Sequence, residues 1–246
     1  MQDHPDYLAH LDVAIKGFAQ VLAEGDLKAP VPSCPGWQLA DLGNHLGRGH
    51  QWATHAIVAG TPDAAPTAPP PGRDALVQWY REAAGVLLTT LKTTDPGHPA
   101  FAYGPKPWTA SIWYRRQAQE TTLHLWDAVA SQHGTLPIDG ELARDGVDEL
   151  ATIFIPWQVE IGRLPLLEQA VALYANDPGG EQRWVLAGDG TGPGSAPDAR
   201  AVATVTGPAE ALHLLLWGRT TLDDPRLLIT GDESVARAVT TSGLTP

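Results

Sequence analysis

Cysteine is nearly absent from this sequence, since Cys34 is the only one among 246 residues. A single cysteine excludes an internal disulfide and a cysteine-based zinc knuckle. It lies in the turn-rich sequence Pro32-Ser33-Cys34-Pro35-Gly36. We therefore interpret it as a buried or incidental thiol rather than as a nucleophile.

Basic residues are also few, because 16 lysines and arginines against 28 aspartates and glutamates give a formal charge of −12. Nucleic acids and anionic membranes are bound by basic surfaces, so this charge argues against both partners and favours small molecules or proteins. No run approaches the roughly 18 apolar residues that span a bilayer, and the amino terminus lacks the basic and apolar regions of a signal peptide. We expect a cytoplasmic protein.

Apolar residues make up 43% of the sequence, which is enough for a packed core, and the length suggests one or two domains. Apolar residues spaced by three and four predict four amphipathic helices in the first part of the chain. Their predicted ranges are 5–24, 39–58, 73–91 and 113–127. A further helical stretch is predicted at 141–154.

The pattern changes near residue 155. Short β-type runs at 184–187, 201–205 and 226–230 alternate with two predicted helices at 209–216 and 234–241. The predicted fold class is therefore α plus α+β, with a four-helix bundle in residues 1–155 and a small α+β domain in residues 156–246.

The fourth predicted helix carries a potential chelating pair. Glu120 and His124 lie roughly 40° apart around the helix axis and one turn apart along it, close enough to share a metal. Arg116 and Asp127 fall on the same face. From spacing alone a solvated face is favoured, with Arg116 and Glu120 as an ordinary i,i+4 ion pair, because Glu-x3-His is short and common by chance.

His45 in the second helix is a third potential ligand. It borders the apolar stripe of that helix, and such a half-buried position suits a ligand, whereas His50 and His55 lie too far around the axis to chelate with it. Helix bundles bring ligands from facing helices together, and two imidazoles with one carboxylate leave an open position on zinc. The sequence alone does not show that His45 reaches the other two.

Three glycines interrupt this second helix, Gly43, Gly47 and Gly49, and each costs up to about 1 kcal/mol relative to alanine. Either close helix packing or room for a ligand beside His45 would offset that cost. Both interpretations remain open from the sequence, and Gly49, one turn beyond His45, fits either.

Several motifs taken together identify a resemblance. The segments Pro35-Gly36-Trp37, Asp41-Leu42 and His45-Leu46, followed by Arg116, Glu120, His124 and Trp126-Asp127, resemble the mycothiol-dependent maleylpyruvate isomerase family, whose amino-terminal domain is DinB-like. Segments 205–209, 214–219 and 229–233 are similar to that family's carboxy-terminal domain. The resemblance covers nearly the whole chain. One departure is Gln38, where a helix-capping Ser or Thr would be more usual.

The resemblance implies a divalent metal, most often Zn2+, held by His45, Glu120 and His124, with mycothiol as the thiol cosubstrate. A coordinated thiol is normally held deprotonated. The expected enzyme is a mycothiol-dependent isomerase or S-transferase. In the isomerase reaction the thiolate adds to the cis double bond of maleylpyruvate, permits rotation, and leaves to give fumarylpyruvate.

Two other functions remain open. One is mycothiol S-transfer to, or thiol-assisted rearrangement of, an electrophilic natural product or xenobiotic. The other is a non-catalytic, metal-stabilised binding protein, which a fourth protein ligand would favour. We expect a monomer whose partners are mycothiol and a small electrophilic substrate, with no nucleic acid and no membrane.

Four further residues are candidates around this site. Arg219 resembles an arginine that reaches the site from the carboxy-terminal domain, and its fork would suit a substrate carboxylate, although a surface residue ending a helix is the other interpretation. Arg116 and Trp52 are cofactor-binding candidates, although core packing is the favoured interpretation of Trp52. Asp127 either orients a ligand histidine or pairs with a nearby base.

Overall fold

Helices make up the first part of the chain and a small sheet with helices makes up the second. The computed structural model describes residues 5–104, 106–165, 169–178, 180–186, 201–242 and 244. The chain divides into two units, Met1–Pro137 and Ile138–Pro246. The fold class expected from the sequence is confirmed.

The first unit is a bundle of four helices: α1 (Tyr7–Glu24), α2 (Leu39–Val58), α3 (Arg73–Thr93) and α4 (Ser111–Ser131). Helix α1 packs on α3 and α4, and α2 packs on the same two helices. Apolar side chains at helical spacing fill the interior, among them Leu11, Phe18, Leu22, Leu39, Leu42, Leu46, Ile57, Leu87 and Leu91. The apolar period seen in the sequence is thus the period of the buried stripe.

Helix α2 begins with a cap supplied from inside the helix. The backbone N–H of Gln38 donates to Oδ2 of Asp41 at 2.9 Å. A carboxylate at this position also lies favourably near the positive end of the helix dipole. The start of the helix therefore does not require a Ser or Thr at position 38.

Two of the three glycines of α2 fit the interpretation of close helix packing, and the third fits that of room for a ligand. A Cβ on Gly43 would lie 3.0 Å from the Leu22 side chain, and one on Gly47 would overlap the Trp79 ring. These two glycines permit close packing of α2 on its neighbours. A Cβ on Gly49 would meet nothing within 4 Å, so that glycine borders open space.

The second unit begins with α5 (Gly140–Glu149), which continues through a π-helical turn (Leu150–Phe154) into α6 (Ile155–Glu160). Helix α5 packs on α7 (Ala209–Leu216), and the π-helical turn contacts β2 (Gln182–Leu186). Residues 138–155, which the sequence analysis assigned to the bundle, therefore pack within the second unit.

The sheet of the second unit has the strand order β2-β1-β3-β4. Its other strands are β1 (Ala170–Ala175), β3 (Ala201–Gly207) and β4 (Leu228–Gly231), and α8 (Glu233–Thr240) packs on β1 and β3. Strand β1 is antiparallel to β2 and parallel to β3, and β3 is antiparallel to β4. The sequence predicted β2, β3 and β4 but not β1. Ala187, which was included in the predicted second strand, lies outside the described residues.

Among the helices that the structure describes, no stretch combines the length and the apolar character needed to span a membrane.

Candidate metal centre

Helix α4 carries polar side chains into the interior of the bundle. The exposed fraction is 4% for Arg116, 7% for His124 and 0% for Asp127. The Glu120 side chain is 24% exposed. The prediction from spacing alone, that this face is exposed to solvent, is therefore wrong. The predicted Arg116–Glu120 ion pair is present, with 3.0 Å between Nη2 and Oε2.

The three potential ligands meet at one point. Nε2 of His45, from α2, lies 3.2 Å from Oε1 of Glu120, and Nε2 of His124 lies 3.1 Å from the same oxygen. The two imidazole rings are edge to face, with centroids 5.0 Å apart. The structure thus shows that His45 reaches Glu120 and His124, which the sequence could not.

The spacing of these atoms fits a metal site. Ligand atoms about 2.0–2.2 Å from a tetrahedral zinc ion lie about 3.3–3.6 Å from one another. One potential ligand atom from each of the three side chains can be chosen so that all lie within 4.8 Å of one another. Two imidazole nitrogens and one carboxylate oxygen are also a donor set that zinc accepts, with a fourth position left open.

Other side chains hold these ligands in place. Oε2 of Glu120 accepts from Arg116, which leaves Oε1 directed at the two histidines. Nδ1 of His124 lies 2.9 Å from Oδ2 of Asp127, and the hydroxyl of Ser33 donates to Oδ1 of that carboxylate at 2.5 Å. A carboxylate on Nδ1 fixes the tautomer that leaves Nε2 free to coordinate a metal. Asp127 is therefore placed to orient a ligand histidine.

The protein charges at this point favour a cation. Burial alone would lower the pKa of His124, but the charge of Glu120 and the hydrogen bonds that His124 donates to Asp127 and Glu120 raise it to about 9. Burial alone would raise the pKa of Glu120, yet the charge and hydrogen bond of His124, together with His45 and Arg116, hold it well below its usual value. Without a metal, His124 is thus a cation at neutral pH, and a divalent ion would take the place of its proton.

A cavity of about 750 Å³ opens beside His45. Its lining residues come from the loop before α2, from α2 itself and from the chain that follows: Gly36, Trp37, Asp41, Asn44, His45, Arg48, Gly49, Trp52 and Pro66. His45 is the most exposed of the three ligands, with 42% of its side chain accessible, and its ring lies 5.0 Å from that of Trp37. A small molecule in the cavity would therefore reach the candidate metal position from the His45 side.

Trp52 packs in the interior and also lines the cavity, while its role in cofactor binding remains a prediction. Its ring contacts the buried ring of Trp113 at a centroid distance of 5.1 Å, and its indole N–H donates to the Pro62 carbonyl at 3.1 Å. It also lines the cavity. Arg116, the other residue predicted to bind the cofactor, is buried against Glu120, and this position favours a role in orienting the carboxylate.

A second group of potential ligands lies next to the first. Donor atoms of Cys34, His124 and Asp127 also lie within 4.8 Å of one another. In this group Asp127 already accepts from Ser33, and its other oxygen contacts His124 Nδ1. A metal on the Nε2 side of His124 would leave these contacts of Asp127 intact, whereas a metal on the Cys34 side would displace them. Cys34 itself is half-buried.

Sequence reasoning missed the contribution of Ser33 to this centre. Ser33 and Asp127 are 94 residues apart in the chain, and no local period connects them. One indication only was present in the sequence, which is that Ser33 and Asp127 each lie near residues of the proposed site along the chain. Arg219 lies in the second unit, just after α7, where its guanidinium donates to the Trp217 carbonyl at 2.6 Å. Its predicted catalytic role remains a prediction.

Comparisons with known proteins agree with this arrangement. The family model described as the mycothiol maleylpyruvate isomerase N-terminal domain matches residues 8–129, and the model described as the MDMPI C-terminal domain matches residues 141–238. A crystal structure of the mycothiol-dependent maleylpyruvate isomerase has a TM-score of 0.63 at 15% identity, and a mutant of it has 0.64 at 14%, each covering 92% of both chains. Comparison with curated proteins gives no match. At these identities the two crystal structures show a shared fold.

Proposed function

Because this chain belongs to the mycothiol-dependent maleylpyruvate isomerase family, we propose that it is a metal-dependent enzyme that uses mycothiol as its thiol cosubstrate. The proposed metal ligands are His45, Glu120 and His124, and the most suitable ion is Zn2+. The observation that carries the proposal is the meeting of two imidazole Nε2 atoms and one carboxylate oxygen beside a cavity.

A divalent cation bound by these three side chains would supply one chemistry, the stabilisation of a thiol in its deprotonated form at the open position. The side chains themselves do the rest. Arg116 fixes one oxygen of Glu120, and Asp127 fixes Nδ1 of His124, so that neither ligand has to be ordered when the cosubstrate arrives. No cysteine nucleophile from the protein is needed.

The identity of the second substrate distinguishes two forms of the proposal. In an isomerase, the mycothiol sulfur adds to a carbon–carbon double bond, rotation occurs about the resulting single bond, and the thiolate leaves unchanged. In an S-transferase, the sulfur stays bound to the product. Both reactions begin with formation of the same carbon–sulfur bond. Maleylpyruvate is the first substrate to assay, because the crystal structures that share this fold are of a maleylpyruvate isomerase.

Three ligands with an open position favour an enzyme over a binding protein. Among the residues that the structure describes, the group that includes both His45 and His124 contains Glu120 and no fourth histidine, cysteine or carboxylate. A metal with four protein ligands would instead indicate a purely structural ion.

The proposal is tested by zinc content and thiolate formation. Purified wild type and two alanine variants, His45→Ala and His55→Ala, are reconstituted with zinc and analysed for metal. His55 lies on the same helix but about 15 Å further along its axis, so the second variant controls for the loss of an imidazole from α2. We expect one zinc per chain in wild type and in His55→Ala, and loss of zinc in His45→Ala.

Mycothiol is then titrated into the loaded wild type at neutral pH while the ultraviolet absorbance of the thiolate is followed. Thiolate formation in proportion to zinc supports the proposal. Failure of the wild type to retain zinc after reconstitution, or retention with no thiolate formed, would overturn it.

A further inference from the structure

The cavity beside His45 has an uneven distribution of charge. Apolar and aromatic groups, including Trp37, Trp52 and Pro66, supply much of its wall. Among the lining residues that the structure describes, Arg48 is the one cation and Asp41 the one carboxylate. Asp41 is already engaged, since its Oδ2 accepts the backbone N–H of Gln38.

Arg48 is not engaged in this way. Within the part of the chain that the structure describes, it makes no hydrogen bond or ion pair, and it is exposed. A guanidinium presents up to five N–H donors in a planar fork that matches a carboxylate. The cavity therefore contains a cationic donor whose capacity no described residue uses.

Helix geometry places Arg48 next to the candidate metal position. It follows His45 by three residues, about 4.5 Å along the axis and about 60° around it. Gly49, four residues after His45, leaves open space, because a Cβ there would meet nothing within 4 Å. A ligand can thus extend from His45 across Gly49 while one end lies beside Arg48.

We infer that Arg48 binds a carboxylate of the electrophilic substrate and so selects anionic acceptors. This inference rests on the proposed function. Apart from the thiol that the proposed function places at the metal, mycothiol is an uncharged sugar-linked molecule, so a carboxylate at Arg48 belongs to the acceptor and not to the cosubstrate. A local cation would also offset the formal charge of −12, which repels anionic substrates at long range.

Arg116 does not provide an alternative anchor for the same carboxylate. It is 4% exposed, and its guanidinium is paired with Glu120. Arg48 is therefore the arginine of the first unit that both lines the cavity and is available to a ligand. In this proposal it is a specificity residue.

The test uses maleate, a small cis-dicarboxylate, as the probe and calorimetric titration as the readout. Zinc-loaded and metal-free forms of wild type, Arg48→Gln, Arg48→Lys and Arg81→Gln are compared. Arg81 is an exposed arginine of α3 outside the cavity lining, so its variant controls for the loss of one positive charge. Zinc content and thermal unfolding establish that each variant is folded and loaded.

We expect Arg48→Gln to weaken maleate binding about tenfold in both metal states, which corresponds to a charge-assisted hydrogen bond at a partly exposed site. Arg48→Lys should retain part of the affinity because it keeps the charge without the fork. Arg81→Gln should match the wild type. Raised ionic strength should weaken binding to the wild type more than to Arg48→Gln.

Equal affinity in wild type and Arg48→Gln would overturn the inference, as would the absence of maleate binding by the wild type. Thiolate formation from mycothiol is measured separately on the same zinc-loaded proteins. If it proceeds equally in wild type and Arg48→Gln while maleate affinity is unchanged, only the role of Arg48 fails. If no thiolate forms in the wild type, the proposed function fails, whatever the result with maleate.

Discussion

Replacing Asp127 with asparagine should weaken zinc binding without removing a ligand. Asp127 is fully buried, and it contacts Nδ1 of His124 at 2.9 Å and the Ser33 hydroxyl at 2.5 Å. An asparagine has nearly the same shape and can still accept from Nδ1 through its carbonyl oxygen, so the imidazole should keep its orientation. What is lost is the negative charge that makes Nε2 of His124 a stronger donor to the metal.

The size of the effect follows from that geometry. Loss of a carboxylate behind a ligand histidine typically reduces metal affinity about 10–100-fold, equivalent to about 1.4–2.7 kcal/mol of binding free energy. Because the Asp127 carboxylate is fully buried and lies within hydrogen-bond distance of His124, at 2.9 Å, we expect the upper half of that range. Ser33→Ala removes one hydrogen bond to the same carboxylate and should have a smaller effect, several-fold at most.

Zinc dissociation constants are measured at neutral pH by competition with a chromophoric chelator. His124→Ala, which removes the ligand itself, sets the upper limit. The reasoning is refuted if Asp127→Asn binds zinc within twofold of the wild type. It is also refuted if the loss equals that of His124→Ala, because Asp127 would then be essential for the site and not a support for one ligand.

Three further predictions concern stability. Burial lowers the pKa of His50 from 6.5 to about 4, so between these pH values the unfolded chain binds a proton that the folded chain does not. The free energy of unfolding should therefore fall by roughly 3 kcal/mol as the pH drops from 6.5 to 4. Denaturant titrations of His50→Gln should show a smaller decline. Gly47→Ala should destabilise the bundle by roughly 1–3 kcal/mol, because the new methyl group overlaps the Trp79 ring, whereas Gly49→Ala should be neutral or stabilising by up to about 1 kcal/mol. Zinc at 100 times its dissociation constant should stabilise the wild type by about 2.7 kcal/mol and His45→Ala by much less.

Each of these has a result that would contradict it. An unchanged acid decline in His50→Gln would mean that this histidine is not buried in its neutral form. Equal stability of the two glycine variants would contradict the assignment of Gly47 to packing and Gly49 to open space. An equal zinc-induced rise in melting temperature for wild type and His45→Ala would place the ion elsewhere.

Local patterns predicted the helices well and one strand not at all. The apolar period located α2 and α7 at the residues where the structure has them, because each buries a distinct stripe. Strand β1 escaped prediction because its sequence, Ala-Val-Ala-Leu-Tyr-Ala, is buried at nearly every position. A strand covered on both faces shows no alternation, and a short apolar run of this kind cannot be told from buried helix.

Local sequence patterns did not predict that the candidate site is buried. The positions of Glu120 and His124 on one helix face were visible in the sequence, but the pattern alone favoured a face directed at water. The structure instead buries that face, with polar groups such as Gln117 paired to His50 on α2 at 2.9 Å. A helix with polar residues on its buried side violates amphipathic patterning, and such conflicts are expected at functional sites.

Contacts between distant segments could not be read from the sequence. Ser33 and Asp127, and His45 and Glu120, come together only because α2 and the preceding loop pack against α4. The family resemblance pointed to the ligand residues. Asp127 as an orienting group and room for a ligand beside His45 were only open alternatives from the sequence, and nothing there indicated Ser33.

A thiol-activating zinc site can be examined by zinc-edge X-ray absorption on the zinc-loaded protein with and without mycothiol. Before mycothiol is added, the zinc should have only nitrogen and oxygen neighbours and no cysteine sulfur. One sulfur neighbour at about 2.3 Å should appear when mycothiol is added. A shell that stays free of sulfur would contradict a thiol-activating site. Sulfur present before mycothiol is added would place Cys34 at the metal and contradict the ligand set of His45, Glu120 and His124.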